Sequence, residues 1–422
     1  MCKTRQKIAL VGIGMGSRQS MTAEAAEEIR SCDCMIGAGR MLDAAAEVRY
    51  DREPVPEFCE YNTEKIYYYI KEHPDYQHVV VLLSGDTGFH SGAKKLSEKL
   101  KGESDRYEIR LIPGISSVVC LAARLGTTWE DGALVSLHGQ EENFIQTVNR
   151  NEKTFLLLGG KDAGIRMLEQ LRHYDMEHVT VKIGSRLSYP EEKILSGHPG
   201  ELSPEDVAGL CAALIINPSP ERWCGPHIED EEFIRGNVPM TKEEVRAVSV
   251  AHLKLTEDAV VYDVGAGTGS VAVEAARSGD RVRVYAIEKK TQAADLIEEN
   301  RKKFRADGIR IVRGEAPEAL KDLEPPTHAF IGGSSGNLRE ILNLLYQKNP
   351  SVRIVINAIS LETVGEVMDA VENGLLKDAR ITQITAARSR VLGRYHMMTG
   401  LNPVYIISAG GYTGPESGKE TG

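Results

Sequence analysis

Apolar residues in the first half of the chain gather in short, strand-length runs rather than in long stripes. Residues 7–11, 79–83, 109–112, 133–137, 154–158, 179–183 and 213–216 are such runs, and helical patterns lie between several of them. Residues 22–30 read as one such helix, with Thr22 placed to cap its start. Strands alternating with helices predict an α/β architecture with substantially parallel sheets. No short-period repeat interrupts this pattern.

The pattern breaks near residue 217. Pro218, Pro220, Pro226 and Pro239 fall close together with the acidic run Glu229-Asp230-Glu231-Glu232, a composition that predicts a linker over residues 218–240. A second α/β series follows, with a helix over 242–253, a strand over 259–264, a helix over 271–278 and a strand over 283–287. The expected organisation is therefore one domain over 1–217, a linker, a second domain over 241–410, and a flexible Gly-, Glu- and Thr-rich tail over 411–422.

Bulk composition narrows the classes. At 422 residues the chain is long enough for two or three cores, and 41% hydrophobic with 27% charged residues is ordinary for a globular protein. No run approaches the length of a membrane span and the N-terminus lacks a secretory pattern, so a cytoplasmic protein without membrane partners is expected. The seven cysteines show no metal-ligand spacing, and no metal site is expected. A net charge of −10 argues against a nucleic-acid partner, although arginines concentrated in one pocket could still hold a small anion.

The second half carries the stronger motif. Tyr262-Asp263-Val264-Gly265-Ala266-Gly267-Thr268-Gly269-Ser270 follows an apolar strand and opens a helix. Its glycines let the backbone pass close to a ligand, and about twenty residues later a strand ends in Glu288, an acid able to hold both ribose hydroxyls. A dinucleotide fingerprint needs Gly-x-Gly-x-x-Gly, whereas this loop has Ser270 at the third glycine's place, so S-adenosylmethionine (SAM) fits better. Arg313-Gly314-Glu315-Ala316-Pro317-Glu318-Ala319-Leu320 falls where such enzymes contact adenine. After the next strand stands Ile331-Gly332-Gly333-Ser334-Ser335-Gly336-Asn337, without the Pro-Pro-aromatic clamp used on exocyclic amines.

Together with Pro239-Met240-Thr241-Lys242-Glu243-Glu244-Val245-Arg246 and Asn357-Ala358-Ile359-Ser360-Leu361-Glu362-Thr363, these segments come in one order. Residues 228–408 resemble the decarboxylating carbon-15 methyltransferases of precorrin-6B. The resemblance implies a class I, Rossmann-like domain in which Thr241, Gly265, Ala266, Gly267, Thr268, Gly269, Glu288, Glu315 and Ala316 contact SAM. Glu315 stands where the family more often has Asp.

In the first half, Gly12-Ile13-Gly14-Met15-Gly16 is a weak signal by itself. It gains from Leu83-Ser84-Gly85-Asp86-Thr87-Gly88-Phe89, from Ile112-Pro113-Gly114-Ile115-Ser116-Ser117, where hydroxyls and amides could hold a carboxylate, and from Leu137-His138-Gly139-Gln140 and Gly184-Ser185-Arg186-Leu187-Ser188-Tyr189-Pro190. Their order resembles the tetrapyrrole methylases, specifically the precorrin carbon-5 methyltransferases, over residues 6–217. That family has two α/β lobes with SAM in the cleft between them, which makes Gly12, Gly14, Gly85, Asp86, Ser116 and Ser117 candidate cofactor contacts. Thr87 and His90 replace a proline and an aromatic frequent in the family.

Both resemblances imply one pathway: two SAM sites per chain, and methylation of precorrin-6B or its cobalt form at carbons 5 and 15 with loss of carbon dioxide from the ring-C acetate. The polycarboxylate substrate makes Arg388, Arg390 and Arg394 candidate ligands, and Tyr395 and His396 candidate proton relays. A homo-oligomer is expected. The competing readings are RNA or protein methylation, a dinucleotide oxidoreductase and a non-catalytic interaction protein. Net charge, the missing amine clamp, Ser270 and the two sets of glycine turns weigh against them in turn.

Overall fold

The computed structural model describes residues 5–137, 143–160, 162–222, 225 and 227–411. His138-Gly139-Gln140 and the expected tail from 412 onward lie outside the described residues. The chain divides into two compact units. One comprises Met1–Glu141, Asn151–Arg172 and Met176–Pro220, and the other Glu142–Arg150, His173–Asp175 and Glu221–Gly422.

The first unit holds two sheets. Strands β1 (Gln6–Gly12), β2 (Cys34–Gly37), β3 (Glu57–Cys59), β4 (His78–Leu83) and β5 (Tyr107–Ile112) form a sheet in the order β3-β2-β4-β1-β5, with every neighbouring pair parallel. The central β1 and β4 are almost continuous runs of buried Val, Ile, Leu and Ala. That is the signature of strands with both faces covered. The helices α1 (Ala23–Ser31), α2 (Gly39–Val48), α3 (Thr63–Glu72) and α4 (Ala93–Lys101) accompany this sheet. Thr22 caps α1, its side chain accepting from the Ala25 N–H at 3.1 Å, as its place in the sequence predicts. Helix α5 (Ser117–Leu125), capped by Ser116 and ended by Gly126 in the left-handed region, leads to the second sheet. That sheet, in the order β6-β7-β10-β8-β9, is built of β6 (Ala133–Ser136), β7 (Lys153–Leu158), β8 (Thr180–Ser185), β9 (Lys193–Gly197) and β10 (Cys211–Ile216). Only β6 and β7 pair parallel in it.

The division is not a single cut in the sequence. The short helix α6 (Ile145–Arg150) and residues His173–Asp175 at the end of α7 (Ala163–His173) group with the second unit. Asp307 accepts the N–H groups of Phe144, Ile145 and Gln146 at 2.7, 2.8 and 3.3 Å, and Tyr174 accepts from Arg301 Nε at 2.7 Å.

The second unit is a seven-stranded sheet in the order β13-β12-β11-β14-β15-β19-β16. Its strands are β11 (Val260–Val264), β12 (Arg283–Glu288), β13 (Ile309–Arg313), β14 (His328–Ile331), β15 (Arg353–Ala358), β16 (Arg380–Ile384) and β19 (Val404–Gly410). The first five run parallel and β19 is antiparallel to both its neighbours. Helices α8 (Glu243–Leu253), α9 (Ser270–Ala276), α10 (Thr291–Lys303), α11 (Leu338–Lys348) and α12 (Leu361–Glu372) complete it. Between β16 and β19 a separate hairpin, β17 (Ala387–Leu392) and β18 (Tyr395–Gly400), stands out with both strands largely exposed.

Residues 228–240 differ from the expected linker. Ile228 and Phe233 are buried in the core of the second unit, and Asp230 is buried against Arg246. Proline and acid content suggested a solvated segment, but the acid is spent on a buried guanidinium. Arg246, with no exposed surface, donates to Asp230 Oδ1 at 3.0 Å, Glu274 Oε1 at 2.6 Å and the Thr241 carbonyl at 2.7 Å. It also donates to the Ile228 carbonyl.

Candidate active sites

In the second unit the strand order reverses between β11 and β14, so the chain leaves these neighbours in opposite directions and opens a crevice at their carboxyl ends. The turn after β11 enters it with Gly265 and Gly267 at φ 74° and 58°. A Cβ on Gly265 would come within 2.8 Å of the Gly333 carbonyl, and one on Gly267 within 2.8 Å of the Pro239 carbonyl. Only glycine admits this approach. The N–H groups of Gly265 and Ala266 donate to the Ile287 carbonyl at 3.0 and 3.1 Å, tying the turn to the end of β12. There Glu288 is buried, with Oε2 accepting from the Gly267 N–H and Oε1 from the Lys290 N–H, both at 2.9 Å. Each oxygen keeps accepting capacity for a hydroxyl, which suits a ribose diol.

Around these groups lies a cavity of about 530 Å³, lined by Thr241, Gly265, Ala266, Gly267, Glu288, Glu315 and Ala316. Seven predicted contacts thus meet in one place. Thr268 and Gly269 are not among the lining residues. Thr268 is fully buried, and a Cβ on Gly269 would meet the Ile297 side chain at 3.0 Å, so this glycine serves close packing of the turn against α10. Lys289 donates to Glu315 Oε1 at 2.7 Å and holds that carboxyl below the usual range. Met240, Lys289, Ser335 and Asn357 line the cavity without having been assigned a role from sequence. For Lys289 the signal was its place directly after Glu288; for Asn357 it was the motif that carried the resemblance.

The hairpin places the remaining candidates elsewhere. Its base, Ala386 and Leu401, lines the cavity, but Arg388, Arg390, Arg394, Tyr395 and His396 do not. Arg388 is already paired, bidentate on Glu244 at 2.7 Å for both bonds and 3.1 Å from Asp230, so it is not a free anion receptor. Arg394 donates to the Tyr395 hydroxyl at 2.8 Å, and with Arg390 and His396 it is exposed on the hairpin. Arg388 and Arg390 stand two apart on β17 and share a face, while Arg394 lies in the turn between β17 and β18, a placement that residue counting along the sequence does not reveal.

The first unit builds its site from three loops at the carboxyl ends of adjacent strands β4, β1 and β5. Gly14 and Gly85 exchange backbone hydrogen bonds of 3.1 and 2.8 Å. A Cβ on Gly12 would approach the Gly85 carbonyl to 2.7 Å, and one on Gly114 to 2.2 Å. Gly12 and Gly14 therefore allow the loops to touch, and neither lines the cavity. The cavity, of about 160 Å³, is lined by Gly85, Asp86, Ser116 and Ser117, with Arg40, Phe89, His90 and Gly184 among its other walls. Asp86 accepts from the Gly88 N–H at 2.8 Å and the Gly114 N–H at 3.0 Å, so it clamps one loop on the next. Arg40 bonds Ser84 Oγ at 3.2 Å and the Tyr189 hydroxyl at 3.4 Å; nothing in its sequence context marked it.

A glycine turn, a diol-sized carboxylate and a crevice at the switch point of a doubly wound sheet define an α/β methyltransferase. Residues 232–409 match the family described as precorrin methyltransferase domain, and residues 7–203 match the tetrapyrrole (corrin/porphyrin) methylases. A protein of Pyrobaculum calidifontis named "Probable cobalt-precorrin-6B C(15)-methyltransferase (decarboxylating)" is 44% identical over 191 residues, 44% of this chain and 97% of that protein. Its namesake in Methanothermobacter thermautotrophicus is 39% identical over 187 residues, 43% of this chain and 96% of that one. A solved structure named precorrin-6y C5,15-methyltransferase, from Geobacter metallireducens GS-15, is 37% identical with a TM-score of 0.41, covering 43% of this chain and 97% of that one. The chain belongs to the precorrin methyltransferases.

Proposed function

We propose that this enzyme methylates precorrin-6B, metal-free or cobalt-bearing, at two carbons, with one SAM site in each unit. The second unit methylates carbon 15 and releases carbon dioxide from the ring-C acetate, and the first methylates carbon 5. The observation that carries this reading is the pairing, on one chain, of two glycine-walled cavities with matches to two families that both act on tetrapyrroles. When bound, SAM supplies an electrophilic methyl group on a sulfonium leaving group. The chain's own part is position and exclusion of water. Glu288 would orient the ribose through the accepting capacity its two backbone bonds leave free, and Gly265 and Gly267 would let the main chain lie against the donor. The macrocycle itself can take up the electrons that decarboxylation leaves behind. The turn Gly332–Ser335 offers no clamp for an exocyclic amine, which disfavours RNA or protein as substrate.

The proposal extends to a cytoplasmic homo-oligomer. Val391 and Met398 on one face of the hairpin, and Leu392, Tyr395 and Met397 on the other, are 55–66% exposed, apolar surface that a second copy could cover. Incubation with methyl-labelled SAM and either precorrin-6B or RNA tests the function. Label on the tetrapyrrole is expected; label on RNA alone would reject the reading.

A further inference from the structure

Arg40 is the second residue of α2, just beyond the carboxyl end of β2, and lines the first unit's cavity. The same cavity is walled by the buried, apolar Leu157, Leu158, Leu187, Cys211 and Ala212. Arg40, by contrast, is exposed, so it stands where the cavity meets solvent. Two neutral groups hold its head, one from each sheet of the unit. Nη2 donates to Ser84 Oγ at 3.2 Å, just after β4, and Nη1 to the Tyr189 hydroxyl at 3.4 Å, between β8 and β9. A guanidinium carries five N–H donors, so these two bonds orient it and leave three. Among the described residues no acid forms an ion pair with it. Asp86, the acid in the cavity wall, directs Oδ1 to the Gly88 N–H and Oδ2 to the Gly114 N–H instead. Arg40 thus differs from Arg388 of the second unit, whose fork is filled by Glu244.

A guanidinium that is oriented but not neutralised is complementary to a carboxylate. Both ligands of this unit carry that group. In SAM the sulfonium and the ammonium outweigh the single carboxylate, so an unpaired cation repels the donor as a whole. A tetrapyrrole with several carboxylates is attracted by the same charge. We infer that Arg40 receives one peripheral carboxylate of the tetrapyrrole at the mouth of the first cavity. The inference rests on the functional reading above and deepens it. A carboxylate anchored there sets which edge of the macrocycle faces the methyl donor, and so favours carbon 5 in this unit.

The test is Arg40→Gln in the full chain, at an exposed position where the fold is expected to survive. At saturating SAM the KM for precorrin-6B in carbon-5 methylation should rise about tenfold, as for a lost hydrogen bond to a charged group, with kcat little changed. Two quantities should stay at wild-type values: the KM for carbon-15 methylation, followed as carbon dioxide release, and the Kd of SAM by calorimetry. Arg40→Lys keeps the charge without the fork and should recover part of the loss. Added salt should raise the carbon-5 KM of the wild type more than that of Arg40→Gln. An unchanged carbon-5 KM in Arg40→Gln overturns the inference while wild-type turnover upholds the functional reading. A rise shared equally by carbon-15 methylation overturns it as well. Weakened SAM binding with an unchanged KM for the tetrapyrrole assigns the carboxylate to SAM and also overturns it. A wild type that does not methylate the tetrapyrrole rejects both.

Discussion

Gly267 shows how much one residue decides. Its φ of 58° and the 2.8 Å approach of the Pro239 carbonyl to a would-be Cβ leave no room for a side chain. Gly267→Arg is expected to fill the second cavity and reduce SAM bound per chain, by calorimetry, from two equivalents to about one; two retained equivalents would remove this turn from the cofactor site. Asp263, at the end of β11, is wholly buried. Burial, opposed by the Ala272 N–H and reinforced by the charge of Glu288, pushes its carboxyl up to about 7. Burial likewise raises Asp307 to about 6, against the N–H groups it accepts. A carboxyl with a folded pKa above its unfolded value of roughly 4 holds its proton more tightly when folded, so stability falls as pH rises from there to about 7. Asp263→Asn should shrink the drop in melting temperature between pH 5 and pH 7.5; an equal drop in variant and wild type would contradict this origin.

At the scale of elements, the segment before α8 is organised around one buried side chain. Arg246 spans Asp230, Glu274 and the carbonyls of Ile228 and Thr241, and so sets the position of the 239–241 stretch in the cavity wall. Arg246→Met would leave buried Glu274 without its guanidinium, Asp230 keeping Arg388, and should destabilise the second unit by roughly 3–5 kcal/mol in urea denaturation, because breaking a buried pair leaves an uncompensated charge. A loss near zero would mean water reaches these acids. This network also explains why the segment was not legible in sequence. Four prolines and an acid run read as a linker because a local window cannot show that Asp230 meets a guanidinium sixteen residues away. Strands were legible for the opposite reason: β1, β4 and β11 are short, mostly apolar runs buried at nearly every position. The hairpin belongs to this scale too. Val391→Lys with Met398→Lys should convert an oligomer to a monomer in sedimentation, and unchanged sedimentation would free this arm of that role.

For the whole molecule, legibility followed the backbone. The glycine turns, Glu288 and the order of motifs point to both cavities, since close main-chain approach demands glycine. The side chains of the cavity walls were less legible: nothing in its sequence context marks Arg40, and only the assembled sheet brings it to the crevice. The arginines of the hairpin do not line the second unit's cavity: Arg388 is taken by Glu244, and Arg390 and Arg394 are exposed on the hairpin. The central claim is a division of labour between two cofactor sites, and Glu288→Ala tests it most directly. Losing charge-assisted bonds to the ribose, about 1.5–3 kcal/mol, should weaken SAM binding in the second unit on the order of ten- to a hundredfold. Mass spectrometry of products from precorrin-6B should then show carbon-15 methylation and carbon dioxide loss falling together, with the first unit's SAM affinity intact. Full decarboxylation with loss of only the carbon-5 methyl would contradict the account and exchange the two assignments.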